Sequence, residues 1–182
     1  MLNYSNIIEK CAKERINRRI PNGQPVNAEV LLSTMFRYAS SEIRIYSGGL
    51  NDRVYGTDGL IESASKFLSD PYSTLQILLQ TSMTPHDFES LRLGQLINSL
   101  RDKERHGCVE VRNAIGNYAS SAAKHFATMD YTGFRYEFNH QACEAIANFN
   151  EPDTADKLNR AFDRAFKLSG TPNRVLEIGR CL

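Results

Sequence analysis

Hydrophobic residues follow two different spacings along this chain, one typical of helices and one typical of strands. Apolar side chains recur every three to four positions over segments that are predicted to be helical: residues 4–19, 27–40, 58–68 and 87–100. Shorter runs rich in β-branched residues predict strands at 42–47, 74–80 and 108–112. Because helices and strands alternate, the pattern favours an α/β fold whose mixed or parallel sheet is covered by helices on both faces.

The remaining residues have a different pattern, in which two short strands follow one another directly. Residues 125–129 and 134–138 are predicted to form a hairpin joined by an Asp-Tyr-Thr-Gly turn. Residues 140–147 are predicted to be helical or irregular, and 153–168 to form the last long helix. The predicted organisation is a helical extension at 1–40, one α/β domain at 41–170 and a C-terminal tail at 171–182.

Composition and charge narrow the classes of protein without pointing to a ligand. Of the 182 residues, 41% are hydrophobic and 24% charged, and the net charge is +1, so nothing in the overall balance indicates a nucleic-acid binder. No apolar run is long enough to span a membrane. The four cysteines are widely spaced and form no metal-binding pair, so a cytoplasmic, reducing setting without a cofactor is expected.

Basic residues cluster near the N-terminus, where helical spacing has two interpretations. They are the solvated face of a helix or a patch that binds phosphate. The cluster comprises Lys10, Lys13, Arg15, Arg18 and Arg19.

The predicted hairpin carries most of the chain's candidate chemistry. His125, Asp130, Arg135 and Glu137 fall within thirteen residues, with Lys124 and Asn139 at either end. His125 is either a general base or phosphate contact, or a buried and hydrogen-bonded histidine. Alternation along the first strand predicts that His125, Ala127 and Met129 share one face of the sheet, with Phe126 and Thr128 on the other.

Arg135 and Glu137 lie two positions apart on the second strand of the hairpin and therefore share a face. Two interpretations stay open: a structural ion pair, or an arginine that contacts a phosphate or a partner's carboxylate. His140 follows this strand, and with His125 and Asp130 or Glu144 it would resemble a metal or phosphodiesterase centre.

The order of elements resembles one half of the phospholipase D superfamily. Residues 42–50, 75–79 and 109–112 are similar to its first three strands. Residues 143–152 with 162–166 are similar to its closing segment, where an apolar strand precedes a helix. The family motif is His-x-Lys with an aspartate after four further residues. The resemblance implies that the histidine is a nucleophile and the lysine binds the phosphate oxygens.

The motif is not intact in this chain. Aligned on Asp130, it places Ala123 at the nucleophile and His125 at the lysine, while Asn139 is the closest match to the downstream asparagine. An alanine cannot form a phosphoenzyme. The resemblance therefore implies a catalytically silent module that binds or assembles with a protein partner, as a homodimer, in a bacterial defence or nucleic-acid-related complex.

Two other hypotheses remain at this point. One is a divergent phosphodiesterase or nuclease in which His125 reacts, Asp130 orients it, Arg135 and Asn139 hold the phosphate and His140 is a candidate second base. The other is nucleic-acid binding without cleavage, through the basic residues Arg15, Arg18 and Arg19.

Overall fold

The computed structural model describes residues 3–120, 124–139 and 144–179. Within them, the α-helices are α1 (Tyr4–Lys13), α2 (Pro25–Tyr38), α3 (Asp52–Tyr55), α4 (Asp58–Leu68), α5 (Pro85–Ser90), α6 (Arg92–Asn98) and α7 (Pro152–Ser169). The strands are β1 (Ile20–Asn22), β2 (Glu42–Ser47), β3 (Thr74–Leu79), β4 (Cys108–Asn113), β5 (His125–Met129), β6 (Gly133–Asn139), β7 (Glu144–Asn148) and β8 (Arg174–Ile178).

All of these strands belong to one sheet, in the order β1-β7-β6-β5-β2-β3-β4-β8. β2, β3 and β4 run parallel to one another, and the other neighbouring pairs are antiparallel. The predicted α/β fold with a mixed sheet is therefore confirmed. The chain direction changes between β2 and β5, so the carboxyl ends of the parallel strands meet the start of the hairpin.

Helices cover both faces of the sheet, as the alternating pattern predicted. The larger core lies under α1, α2, α4, α5 and α6 and includes fully buried Leu31, Leu60, Phe88 and Ile97. The smaller core lies under α7, where Phe162 and Phe166 stack at 5.2 Å and pack with Tyr46 and Phe126. Burial of these side chains is the main source of the fold's stability.

Several predicted boundaries were wrong. The first helix ends at Lys13 because Arg15 adopts the left-handed backbone conformation (φ 49°). The single helix predicted at 87–100 is two helices that meet at Leu91, whose backbone is extended. Gly94 permits this close packing, since a Cβ there would lie 1.9 Å from the Phe88 carbonyl oxygen.

Three strands were not predicted from periodicity. Residues 144–148 form β7, as the likeness to the phospholipase D closing segment implied, and not a helix; residues 140–143 lie outside the described part of the chain. β1 pairs with β7, and β8 in the tail pairs with β4. The segments on either side of the predicted boundaries at 40 and 170 thus share one sheet, and those boundaries stay predictions.

Two further properties concern the setting of the protein. Among the described residues, no helix has both the length and the apolar character needed to cross a bilayer. Cys11 is a buried free thiol, whereas Cys108 is disulfide-bonded. The cysteines therefore do not support the expected reducing compartment, which stays a prediction.

Candidate functional site

The candidate site lies on the larger-core face of the sheet, where the carboxyl end of β2 meets the start of the hairpin. His125 pairs in register with Glu137, and Ala127 pairs with Arg135. Ala127 and Met129 lie in the core beneath α2, and Phe126 lies in the core beneath α7. The side chains of β5 alternate between the faces as predicted, which places His125 beside Glu137.

Both ring nitrogens of His125 face hydrogen-bond acceptors. Nε2 lies 3.2 Å from Oε1 of Gln80, which directly follows β3, and Nδ1 lies 3.7 Å from Oε1 of Glu137. The ring also packs on Gly48, where an added Cβ would lie 3.0 Å from Nε2. The side chain is 20% exposed, so His125 is held in place but still reachable from solvent.

Arg135 and Glu137 form an ion pair, which is one of the two interpretations of their spacing. Nη2 of Arg135 lies 2.8 Å from Oε2 of Glu137, and the two side chains are only 6% and 14% exposed. Burial alone would raise the pKa of the Glu137 carboxyl, but the neighbouring His125 ring and the charge and hydrogen bond of Arg135 outweigh it and lower this pKa. Glu137 is therefore a carboxylate at neutral pH, and it compensates the buried guanidinium.

A cavity of about 420 Å³ adjoins these three residues. It is lined by Ala28, Ser47, Gly49, Asn51, Arg53, Val54, Tyr55, His125, Arg135 and Glu137. Burial raises the pKa of the Tyr55 phenol, whose hydroxyl interacts with Ser47. The cavity adjoins the carboxyl end of β2, beside the point where the parallel part of the sheet meets the antiparallel hairpin. Ligands in open α/β sheets bind at such a change of strand direction.

Asp130 lies at the opposite end of β5 from His125, and it does not orient that ring. Its carboxylate accepts hydrogen bonds from the backbone N–H groups of Ser40, Ser41 and Glu42, at 2.9, 3.0 and 3.1 Å. Asp130 itself has a left-handed backbone (φ 50°). The hypothesis that gave Asp130 a role beside His125 was wrong, because its carboxylate holds the backbone ahead of β2.

The other predicted site residues lie away from the cavity or outside the described residues. Nζ of Lys124 donates to the Phe138 carbonyl at 2.8 Å, and Nδ2 of Asn139 donates to Glu144 Oε2 at 3.2 Å. Ala123 and His140 fall outside the described ranges. No cluster of histidine, cysteine and carboxylate side chains suited to a metal ion occurs in the described part of the chain.

Sequence reasoning missed the contribution of the segment after β2 to the cavity. Ser47, Asn51 and Tyr55 line it. Asn51 caps α3 by accepting a hydrogen bond from the Arg53 backbone. The order of parallel strands would have identified this loop, because it directly follows the carboxyl end of β2.

Two of the N-terminal arginines bind other parts of the protein. Arg19 pairs with Glu151 at 3.0 Å, and Arg15 donates to Thr132 and Ser40, with Asp130 4.0 Å away. Arg19 is thus compensated by a carboxylate of the protein, and Arg15 is held by hydrogen bonds beside another. Both arginines follow α1, which ends at Lys13, so they do not lie on the helix face that their spacing suggested.

The architecture is shared with solved structures at low sequence identity. Nuc from Salmonella typhimurium, a phospholipase D family member, superposes with a TM-score of 0.54 at 11% identity, over 86% of this chain and 97% of that one. NucT from Helicobacter pylori gives a TM-score of 0.50 at 10% identity, over 88% of this chain and 99% of that one. These likenesses concern the fold, which is phospholipase D-like.

A third similar structure is that of TrmBL2, an archaeal chromatin protein with a novel mode of DNA binding. Its TM-score is 0.59 at 13% identity, over 93% of this chain, which spans only 60% of that protein. By sequence, the chain belongs to the family described as Domain of unknown function (DUF7931), whose model matches residues 24–175. No curated protein sequence matches it.

Proposed function

We propose that this protein is a non-catalytic phospholipase D-like module that acts as a binding or assembly subunit. The observation that carries the proposal is the position of His125 between Gln80 and Glu137. A nucleophilic histidine needs a ring nitrogen whose lone pair can reach phosphorus. Here Nε2, the nitrogen whose lone pair would have to attack, lies 3.2 Å from the Gln80 amide oxygen and is occupied by that contact. Nδ1 faces the Glu137 carboxylate at 3.7 Å.

The role of Asp130 supports the same proposal. In the resembling motif an aspartate completes the site, whereas the Asp130 carboxylate is taken up by the backbone of residues 40–42. His125 and Asp130, the two aligned residues considered so far, therefore both contact other parts of the protein. A module that keeps the scaffold without the reacting groups is best suited to holding a ligand or a partner.

The remaining parts of the proposal come from the phospholipase D resemblance. We expect a homodimer, because halves of this fold pair with their sites side by side. A protein partner and a role in bacterial defence or nucleic-acid metabolism are proposed on the same basis, and a cytoplasmic location on the spacing of the cysteines. The similarity of fold to a DNA-binding chromatin protein makes nucleic acid a reasonable ligand to test.

The test compares phosphodiesterase and nuclease activity of the wild type with that of His125→Ala. His86→Ala is the matched control, because His86 is exposed in the first turn of α5. We expect all three proteins to show the same background turnover of a chromogenic phosphodiester and of DNA. Activity that is lost in His125→Ala but kept in His86→Ala would overturn the proposal.

The oligomeric state is tested separately by a mass measurement in solution. The expected result is the mass of two chains, and a monomer at all concentrations would contradict the dimer.

A divergent phosphodiesterase is the second candidate, and one contact favours it. Glu137 lies 3.7 Å from Nδ1 of His125, which is the arrangement of a carboxylate that orients a catalytic histidine. In this alternative Glu137 takes the orienting role, and Gln80 must release Nε2 before the ring can attack. Faster turnover in Gln80→Ala than in the wild type would favour this candidate.

A further inference from the structure

We infer that the cavity beside His125 binds a small uncharged heterocycle, such as a nucleobase, and discriminates against phosphate. The inference rests on the proposed binding function and names the ligand class of that site. It follows from the charge balance of the cavity, from its size and apolar wall, and from the donors and acceptors that it offers.

The buried charges that line the cavity already balance each other. The only buried cation among the described lining residues is Arg135, and Glu137 already compensates it at 2.8 Å. Arg53, the other cation, is exposed to water at the cavity wall. A phosphate entering the cavity would approach the Glu137 carboxylate and lose its own hydration, and no uncompensated buried charge would offset that cost.

The cavity has the dimensions and wall of a small-molecule site. Its volume of about 420 Å³ lies within the range of about 300–1,000 Å³ that is usual for such sites. Ala28, Val54 and the ring of Tyr55 supply apolar surface, which suits the face of a planar ring.

The polar end of the cavity presents donors and acceptors next to each other. The guanidinium of Arg135 only donates, and the Glu137 carboxylate only accepts. A molecule that carries an acceptor and a donor on adjacent atoms matches this pair without carrying a net charge. The edges of nucleobases have this character, whereas a phosphodiester offers acceptors alone and every phosphate carries a net negative charge.

The binding test uses the full chain with four ribonucleosides, inorganic phosphate and dimethyl phosphate as probes. It is run at about pH 8, above the usual titration range of histidine side chains. We expect at least one nucleoside to bind and neither phosphate probe to compete with it. Binding of a phosphate probe in the cavity, or no binding of any nucleoside, would overturn the inference.

A pair of glycine substitutions locates the binding. Gly49 lines the cavity, and a Cβ added there meets nothing within 4 Å; the same open space surrounds Gly23, which does not line it. Gly49→Val should weaken nucleoside binding by about tenfold or more, because one extra carbon in a pocket usually changes affinity by at least that factor. Gly23→Val should leave it unchanged. Equal effects of the two would contradict a site in this cavity.

A charge substitution tests the reason for the selectivity. Glu137→Gln removes the carboxylate that compensates Arg135, so this variant should gain affinity for inorganic phosphate while the wild type shows none. Circular dichroism checks whether this variant is folded. If it is not folded, Glu137→Asp is measured in its place, and this variant should keep the wild-type preference for a nucleoside over phosphate. Phosphate binding that is equally tight in wild type and variant would remove the charge-balance argument.

The outcomes separate this inference from the proposed function. If no nucleoside binds and the His125→Ala assay shows only background activity, the ligand class is wrong and the non-catalytic module stands. If turnover depends on His125, the module itself is wrong whatever the cavity binds.

Discussion

Asp130 and Glu42 are joined by a reciprocal pair of hydrogen bonds between the hairpin turn and the start of β2. The N–H of Asp130 donates to the Glu42 carbonyl at 2.8 Å, and the N–H of Glu42 donates to the Asp130 carboxylate at 3.1 Å. The same carboxylate accepts from the two preceding backbone amides. Backbone N–H groups ahead of a buried strand need acceptors, and the Asp130 carboxylate supplies them for residues 40–42.

Asp130→Asn should therefore lower the free energy of unfolding by about 2 kcal/mol, the scale of a lost hydrogen bond to a charged group. Asparagine tolerates the left-handed backbone found at this position, so the change isolates the loss of the carboxylate. Urea denaturation followed by circular dichroism gives the measurement.

Asp156→Asn is the control for this experiment, because Asp156 pairs with Arg160 on the exposed side of α7. It should change stability by about 0.5 kcal/mol or less. If Asp130→Asn were as stable as the control but impaired in ligand binding, the structural role would be wrong.

The local sequence pattern was sufficient to predict the bounds of a helix or strand that has a strong periodicity of its own. The bounds of β2, α4 and β5 agree with the prediction because each has a full run of buried positions at one spacing. β1 has three residues, and one of them is Pro21, so its sequence has the appearance of a loop. It is a strand only because β7 pairs with it, and a proline is tolerated at the edge of a sheet.

In the candidate site too, features set by local sequence were predictable and features set by distant segments were not. The shared face of Arg135 and Glu137 follows from alternation along one strand, so an ion pair between them was among the predicted interpretations. The cavity needs Ser47 and Tyr55 from a segment far from the hairpin in sequence. The role of Asp130 depends on backbone amides, which every residue except proline carries, so no side-chain pattern could indicate it.

Gly48→Ala should displace the ring of His125. An added Cβ would lie 3.0 Å from Nε2 and 3.1 Å from Cε1, so the ring has to move by a few tenths of an ångström. We expect a stability loss of about 1 kcal/mol, at the low end of the cost of overpacking. The measurement is the NMR shift of the His125 ring protons. Gly49→Ala adds a methyl group into open space and should leave those shifts unchanged; equal shifts in both variants would rule out the contact.

Glu151 should make stability depend on pH in the acidic range. Its hydrogen bonds from Arg19 and Thr154 lower the pKa of this carboxyl from 4.5 to about 2. Because the pKa in the folded state is depressed, the stabilisation is present above pH 4.5 and is lost as the pH falls toward about 2. Thermal unfolding across this window should show a smaller decrease in Tm for Glu151→Gln than for the wild type. If Tm fell equally with pH in the wild type and in Glu151→Gln, another carboxylate would be responsible for the pH dependence.

Removing the two paired arginines should have little effect on DNA retention. Arg19 pairs with Glu151 at 3.0 Å, and Arg15 lies 4.0 Å from the Asp130 carboxylate while it donates to Thr132 and Ser40, so a carboxylate is already close to each guanidinium. Any retention by the wild type at low salt should keep its salt dependence in the double variant Arg15→Ala and Arg19→Ala.

Fluorescence anisotropy with labelled DNA over a salt series gives the slope of log K against log salt. A slope that becomes shallower by about one to two would show that these arginines do contact phosphates. That result would favour nucleic-acid binding at the segment that follows α1 over binding in the cavity, because neither arginine lines the cavity.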